Sequence, residues 1–377
     1  MLENKIKVLV QLNQLGYGGT EKAIYTFLKN SNTKKFIFYI YVNSDIYSLN
    51  YWRIKALKLF CKKYEIKFKE KYETSFARWN DFSEILEDKI FVGNGFDGFI
   101  KIIEKIKPDV IHFNRGVFND FYTTRIDEIP NAIKLVETNI FGIDSNISYL
   151  ERLSSIFFVS KWLRDEAKWS IKYNSKILYN PINRRITNET LHEKFNIPKD
   201  DIVLGRISRP NLDDGEFIFN ILEKTLDKNI WFISIGASEN FIKLTKNNPK
   251  IINLSPTVDT IYIDQFYNTL DILLHFRIEG ETFGMNIAEA MIHGKPVISH
   301  ISKKDNAQYE LLISYKECGF VINLDIDEYV NKLKILIEDL EIRDRFSRNA
   351  EIVATSLFSE EKVTSILEKY YQDLFTN

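Results

Sequence analysis

The chain has 377 residues, is 45% hydrophobic and 27% charged, and balances 51 Lys plus Arg against 52 Asp plus Glu for a formal net charge of -1. It is long enough for about two domains of ~150 residues, too apolar to be disordered, and too evenly charged for wholesale nucleic-acid binding. The two cysteines, Cys61 and Cys318, form neither a Cys-x-x-Cys pair nor a disulfide framework, and no apolar run approaches the ~20 residues that span a bilayer. With Met1–Lys5 running straight into an apolar stretch and no signal peptide, a reducing, cytoplasmic setting is the expectation.

Ile6–Val10 reads as a first strand. A glycine-rich turn, Asn13–Glu21, follows and leads into a helix marked by Ala23, Ile24, Phe27 and Leu28. Its glycines would permit positive φ and close approach to a ligand, although Glu21 holds the place of the third Gly in a Gly-x-Gly-x-x-Gly fingerprint. Lys35–Val42 is the second strand. Arg53–Tyr64 is helical, inside a basic run from Arg53 to Lys71 that suits an anionic membrane surface or, more simply, a solvated face. Phe99–Ile106 is a helix stopped before Pro108. The next strand, Asp109–Phe113, carries His112 near its carboxyl end, and Ala132–Val136 delivers Glu137–Gly142, including Asn139, to the same edge. Ser155–Val159 is a strand, Ser160 a cap and Lys161–Trp169 a helix, before Lys176–Tyr179 closes the run. Alternating strands and helices predict a doubly wound parallel sheet.

Asn180–Pro181 breaks the pattern, and a polar stretch to Asp201 marks a domain boundary. The pattern restarts with the strand Asp201–Gly205, feeding Arg206–Pro210. A helix (Phe217–Leu226), strands at Ile230–Ile235, Asp271–His275 and Cys318–Ile322, a helix at Asp327–Leu340 and a terminal helix at Glu360–Phe375 follow. The predicted domains are 1–182, 183–358 and a tail helix 359–377 that crosses back to the first. Asp325-Ile326-Asp327 has the look of an Asp-x-Asp metal motif, but it precedes a helix where Asp327 serves as N-cap. His192, His275, His293 and His300 lack zinc spacing, so no metal site is expected.

The centre of the second half is Arg277–Ile298. A strand leads into a glycine-containing loop, a short helix starts near Met285, and Gly294 and Pro296 end it. Glu281 lies in the loop and Glu289 within the helix. The helix N-terminus favours an anion, and ionised carboxylates accept bonds from hydroxyls. A ligand with both phosphate and hydroxyl groups, such as a nucleotide-sugar, fits that combination.

Three motifs, Glu281-Thr282-Phe283-Gly284 with Glu289-Ala290 and Gly294-Lys295-Pro296-Val297, Gly205-Arg206-Ile207, and Gly18-Gly19-Thr20-Glu21, resemble the retaining glycosyltransferases of family 4. Asp109–His112 and Asn180-Pro181 add weaker matches, so the likeness runs along nearly the whole chain in order. The resemblance implies a GT-B architecture, two Rossmann-like domains facing across a cleft. It implies metal-independent transfer of a sugar from a nucleoside-diphosphate sugar to a glycan, lipid-linked or other hydroxyl acceptor, with no cofactor; the expected donor is a UDP-sugar, with a GDP-sugar next. It assigns Glu289 to ribose hydroxyls, Glu281 to sugar hydroxyls, the backbone of Thr282, Phe283, Gly284, Met285 and Asn286 to the diphosphate, and Arg206 to leaving-group charge. The acceptor would sit on the first domain near Gly18, Gly19, Thr20 and Asn139, with His112 as a catalytic residue beside it. The family's usual Lys after Gly-Arg is absent, with Arg209 the expected substitute, and Asn114 replaces a second His. A nucleotide-sugar epimerase or hydrolase, or a non-catalytic nucleotide-sugar-binding module, is the alternative.

Overall fold

A computed structural model describes residues 5–43, 77–93, 95–116, 121–183, 186–209 and 215–376. The basic run Arg53–Lys71, and Cys61 within it, lies outside the described residues. The chain divides into two compact units, one formed by Met1–Pro181 with Val363–Asn377 and the other by Ile182–Lys362.

The first unit is built on a seven-stranded sheet. Its strands are β1 (Ile6–Leu12), β2 (Phe36–Asn43), β3 (Ile90–Gly93), β4 (Val110–Arg115), β5 (Lys134–Asn139), β6 (Ser155–Phe158) and β7 (Ser175–Ile177). The order is β3-β2-β1-β4-β5-β6-β7, and every neighbouring pair is parallel. The direction of winding reverses between β1 and β4, the place where open α/β sheets receive ligands at their carboxyl edge. Strand β4 continues through Arg115, two residues beyond its predicted end, because Asn114 and Arg115 stay in register with Thr138 and Asn139. His112 is therefore mid-strand. Strand β3 and the helix Trp79–Leu86 have no counterpart in the sequence reading; β3 is only four residues long and half-buried.

The core of this unit is aromatic on one face. Phe27, Phe36 and Phe38 gather around Tyr371, with ring centroids 6.0–6.5 Å from it. Tyr371 comes from the last helix, Glu360–Asp373, whose Val363 and Leu367 join the same core. Burying such side chains contributes about 1.5–3 kcal/mol each, which is enough to hold the tail helix on this unit.

The second unit repeats the plan with β8 (Ile202–Ile207), β9 (Ile230–Ile235), β10 (Ile251–Leu254), β11 (Ile272–Leu274), β13 (Val297–His300) and β15 (Gly319–Ile322). The order β10-β9-β8-β11-β13-β15 is again all parallel, with its switch point between β8 and β11. Two short strands, β12 (Gly280–Glu281) and β14 (Asp305–Asn306), pair with each other outside this sheet. The polar stretch after the boundary is not a bare linker. Leu191 and Ile197 are buried, and the Leu191 N–H donates to Thr269 Oγ1 at 2.7 Å, so the segment runs along the helix Thr260–Thr269. The helix after β15 starts at Ile326, and its N-cap is Asp325, not Asp327: Asp325 accepts from the Glu328 N–H at 2.7 Å, while Asp327 pairs with Lys224. Asp325 has the extended backbone that lets a carboxylate reach back to the helix N–H groups. Two sheets of Rossmann type in series make this a mixed α/β fold of two doubly wound units.

Candidate active site

The second unit's site is assembled at the carboxyl ends of β8 and β11. Gly205 is required there by packing: a Cβ would overlap the Leu270 side chain, which presses on the strand. The next residue, Arg206, is 4% exposed. Its guanidinium donates to the Phe276 carbonyl at 3.3 Å and to Ser208 Oγ at 3.2 Å, so a rigid cation is fixed beside the switch point. Arg209 is exposed, and Pro210–Asp214 beyond it lies outside the described residues.

Glu281 follows Gly280, whose φ of 71° and contact with the Asp305 carbonyl leave no space for a side chain. The β12–β14 pairing fixes this turn, and Gln308 Oε1 accepts from the Glu281 N–H at 3.1 Å. The Glu281 carboxylate takes a bond from Arg277 Nη1 at 3.2 Å and faces His275 Nε2 at 3.3 Å. His275 Nδ1 faces Ser299 Oγ at 2.8 Å, which completes a chain Ser299–His275–Glu281. Burial pushes the Glu281 carboxyl up, but His275 and Arg277 outweigh it and hold the group below the ordinary carboxylate range. It is an ionised, acceptor-only group pointing from a fixed turn.

Gly284, at φ 99°, is the N-cap of the helix Met285–Ile292 and makes no side-chain cap, and no acidic residue occupies the first turn. That start carries the partial positive charge of the helix. Asn286 donates from Nδ2 to the Ile207 carbonyl at 3.0 Å, tying the helix start to the end of β8 next to Arg206. Phe283 is buried, with its ring edge-on to Phe358 at 5.4 Å. Its side chain belongs to the core. Glu289 is 6% exposed and accepts from the Tyr267 hydroxyl at 3.0 Å. Thus Arg206, Glu281, the helix start and Glu289 share one edge of one unit. Sequence reasoning missed His275, Arg277, Gln308 and Tyr267. His275 and Arg277 stand six and four residues before Glu281, and that proximity is the signal in the sequence that could have found them. Among the described residues no three His, Cys, Asp or Glu side chains gather in a metal-holding group.

The residues expected in the first unit behave differently. None of Gly16, Gly18 and Gly19 has positive φ; Gly18 is at φ -62°. What Gly18 supplies is space, since a Cβ there would overlap the carboxylate of Glu21, which curls back over the start of the helix Gly19–Asn30. His112 is 1% exposed, with Nδ1 2.6 Å from the Tyr371 hydroxyl and Nε2 2.7 Å from Thr138 Oγ1. Burial pushes its pKa down to about 3. The ring is neutral at pH 7, and both nitrogens are engaged by the protein. His112, Thr20, Asn114 and Thr138 line a cavity of about 30 Å³, room for little more than one water. Asn139 is committed to its own loop, donating to Ile143 O at 2.7 Å and to Glu137 Oε1 at 3.0 Å while accepting from the Ile143 N–H at 3.0 Å.

No curated protein matches the sequence. In structure the chain is similar to a glycosyltransferase from Rickettsia africae (17% identity, TM-score 0.70, 99% of this chain and 100% of that one). It is also similar to a sucrose-phosphate synthase from Thermosynechococcus elongatus (12% identity, TM-score 0.70, 98% and 99%). A third likeness is to the Anabaena protein HepE in complex with UDP-glucose (16% identity, TM-score 0.67, 98% and 100%). Residues 188–353, which contain every second-unit site residue named above, match the family model of the glycosyl transferases group 1. The second unit therefore carries a glycosyl transferases group 1 domain, and the chain is a glycosyltransferase of the GT-B fold.

Proposed function

We propose that the protein transfers a sugar, with retention of anomeric configuration and without a metal, from a UDP-sugar (a GDP-sugar next) to a hydroxyl of a glycan or lipid-linked acceptor. The observation that carries this reading is the placement of Glu281, Arg206, the uncapped helix start at Met285 and Glu289 on one edge of the second unit. The HepE structures that hold UDP, UDP with glucose, and UDP-glucose support the choice of donor. Glu289 receives ribose hydroxyls, and Glu281 receives hydroxyls of the sugar. The helix start and Arg206 meet the diphosphate, whose negative charge grows as it leaves. The bond from sugar C1 to the phosphate oxygen breaks, the bond from C1 to the acceptor oxygen forms on the same face, and a donor phosphate oxygen takes the acceptor proton.

In this reading the second unit is the donor side, and the first, with Gly18, Gly19, Thr20, His112 and Asn139, is the acceptor side. His112 positions its surroundings and does not move a proton, because Tyr371 and Thr138 engage both ring nitrogens. Arg209, with exposed reach, supplies the cation that the missing Lys would have given. The protein works in the cytoplasm, with a peripheral contact to anionic membrane through Arg53–Lys71; neutralising those lysines should weaken its binding to anionic vesicles.

The deciding experiment is a melting-temperature screen against nucleoside diphosphates and their sugars, followed by donor turnover in the presence of EDTA. A ligand at 100 times its Kd stabilises the fold by about 2.7 kcal/mol. The product's anomeric proton coupling reports stereochemistry. Inversion, a strict metal requirement, release of an epimerised nucleotide-sugar, or binding with no turnover for any acceptor would each contradict the proposal.

A further inference from the structure

Behind Glu289 lies a buried polar set that the reaction itself does not use. Asp264 is 3% exposed and His293 6%. One Asp264 oxygen faces His293 Nε2 at 3.2 Å, and the other accepts from the backbone N–H groups of Ile186 at 2.6 Å and Thr187 at 3.4 Å. His293 Nδ1 faces the Glu289 carbonyl at 2.7 Å. A carbonyl and an ionised carboxylate can only accept. Burial raises the Asp264 carboxyl, but its bonds from His293 and Ile186 outweigh that and keep it ionised. Both His293 nitrogens therefore face acceptors, and the ring sits at the C-cap of the helix Met285–Ile292.

Tyr267 stacks on this ring, centroids 5.1 Å apart and planes at 27°. Its hydroxyl reaches Glu289 Oε2 at 3.0 Å and the Asn286 carbonyl at 3.3 Å. Burial, helped by Glu289, raises the phenol well above its usual pKa, so it stays a donor. Tyr267 thus touches both the first turn of the helix and the carboxylate one turn later. A glutamate side chain left to itself samples many rotamers, and fixing one costs entropy. Here the helix, the phenol and the buried Asp264–His293 contact have already fixed it.

We infer that Tyr267, braced by the Asp264–His293 pair, is a positioning residue that aims the Glu289 carboxylate at the donor's ribose hydroxyls; this rests on the donor reading proposed above. The test measures, by calorimetry, the Kd of UDP and of 2′,3′-dideoxy-UDP for the wild type, Tyr267→Phe, His293→Gln and Glu289→Gln, or of the matching guanosine pair if GDP gives the larger melting shift. A hydrogen bond to a charged group accounts for roughly tenfold in affinity. Tyr267→Phe should weaken the ribose ligand about tenfold and the dideoxy ligand less than about twofold. His293→Gln, which spares the phenol but removes the ring stacked on it, should show the same selectivity with a loss of about threefold. A purely structural role would weaken both ligands alike. That outcome, or no loss at all for either variant, overturns the inference while Glu289→Gln still weakens the ribose ligand more than the dideoxy ligand. If Glu289→Gln weakens both equally, or neither nucleotide binds the wild type, the donor reading falls and takes the inference with it.

Discussion

Each unit opens a helix behind a glycine-rich turn after a parallel strand, yet the two turns do opposite things. In the first, Gly18 has ordinary extended backbone, and its missing side chain makes room for Glu21, so the helix start is met by the protein's own carboxylate. In the second, Gly280 and Gly284 are both at positive φ, and the helix at Met285 begins with neither a cap nor an acid. The second start is suited to an outside anion, and the first has one already. Similar strings of glycine therefore conceal different electrostatics. What separates them is whether an acidic residue stands within reach in the first turn.

The comparison can be broken or sharpened by substitution. Arg206→Ala and Glu281→Ala should lower donor turnover by about 100- to 1000-fold with the fold intact, as loss of a preorganised charge does; steady-state rates with a circular-dichroism control check this. Gly280→Ala should cost about 3 kcal/mol or more in urea unfolding, because a Cβ meets the Asp305 backbone and φ is positive. Gly18→Ala has only to displace a flexible Glu21 side chain and should cost about 1 kcal/mol or less. Equal costs would erase the distinction between the turns. His112 tests the polar core of the first unit. Its folded pKa, about 3, lies below its ordinary 6.5, so the unfolded chain binds the proton first. Stability is whole above pH 6.5 and is lost as pH falls toward 3. The loss from this one group is about 2 kcal/mol between pH 6.5 and about 5, and the pH slope of unfolding should be that much shallower in His112→Gln. The smallest effect is Glu21→Gln, which should cost about 0.3–1 kcal/mol through the helix dipole.

Much of this was legible in the sequence. Alternating apolar runs and glycine breaks announced both parallel sheets, and Ile230–Ile235 falls where its β-branched run places it. Glu281 and Glu289 stood out by their places in a loop and a helix, and Arg206 by the resemblance its Gly-Arg motif carries. Elements such as β3 and the short pair β12–β14 were not legible. They are brief, half-buried and stabilised by partners distant in sequence, as when Glu281 is fixed through Asn306 and Gln308. The same holds for Tyr267 and His293, where helical spacing signals burial but not what a phenol or an imidazole faces. Asp325 and Asp327 show the limit from another side: one carboxylate caps the helix and the other pairs with Lys224, and only backbone angles separate them. The surroundings of His112 were not legible either, because Tyr371, which engages it, lies on a helix 259 residues later.

The most direct test of the account is backbone hydrogen exchange with and without UDP, and in parallel GDP. Bound nucleotide should slow exchange in the helix Met285–Ile292, the turn Gly280–Gly284 and the end of β8 around Arg206 and Ile207, and leave the turn Gly16–Glu21 unchanged. Protection confined to Gly16–Glu21, or none in the second unit with saturating nucleotide, would contradict it.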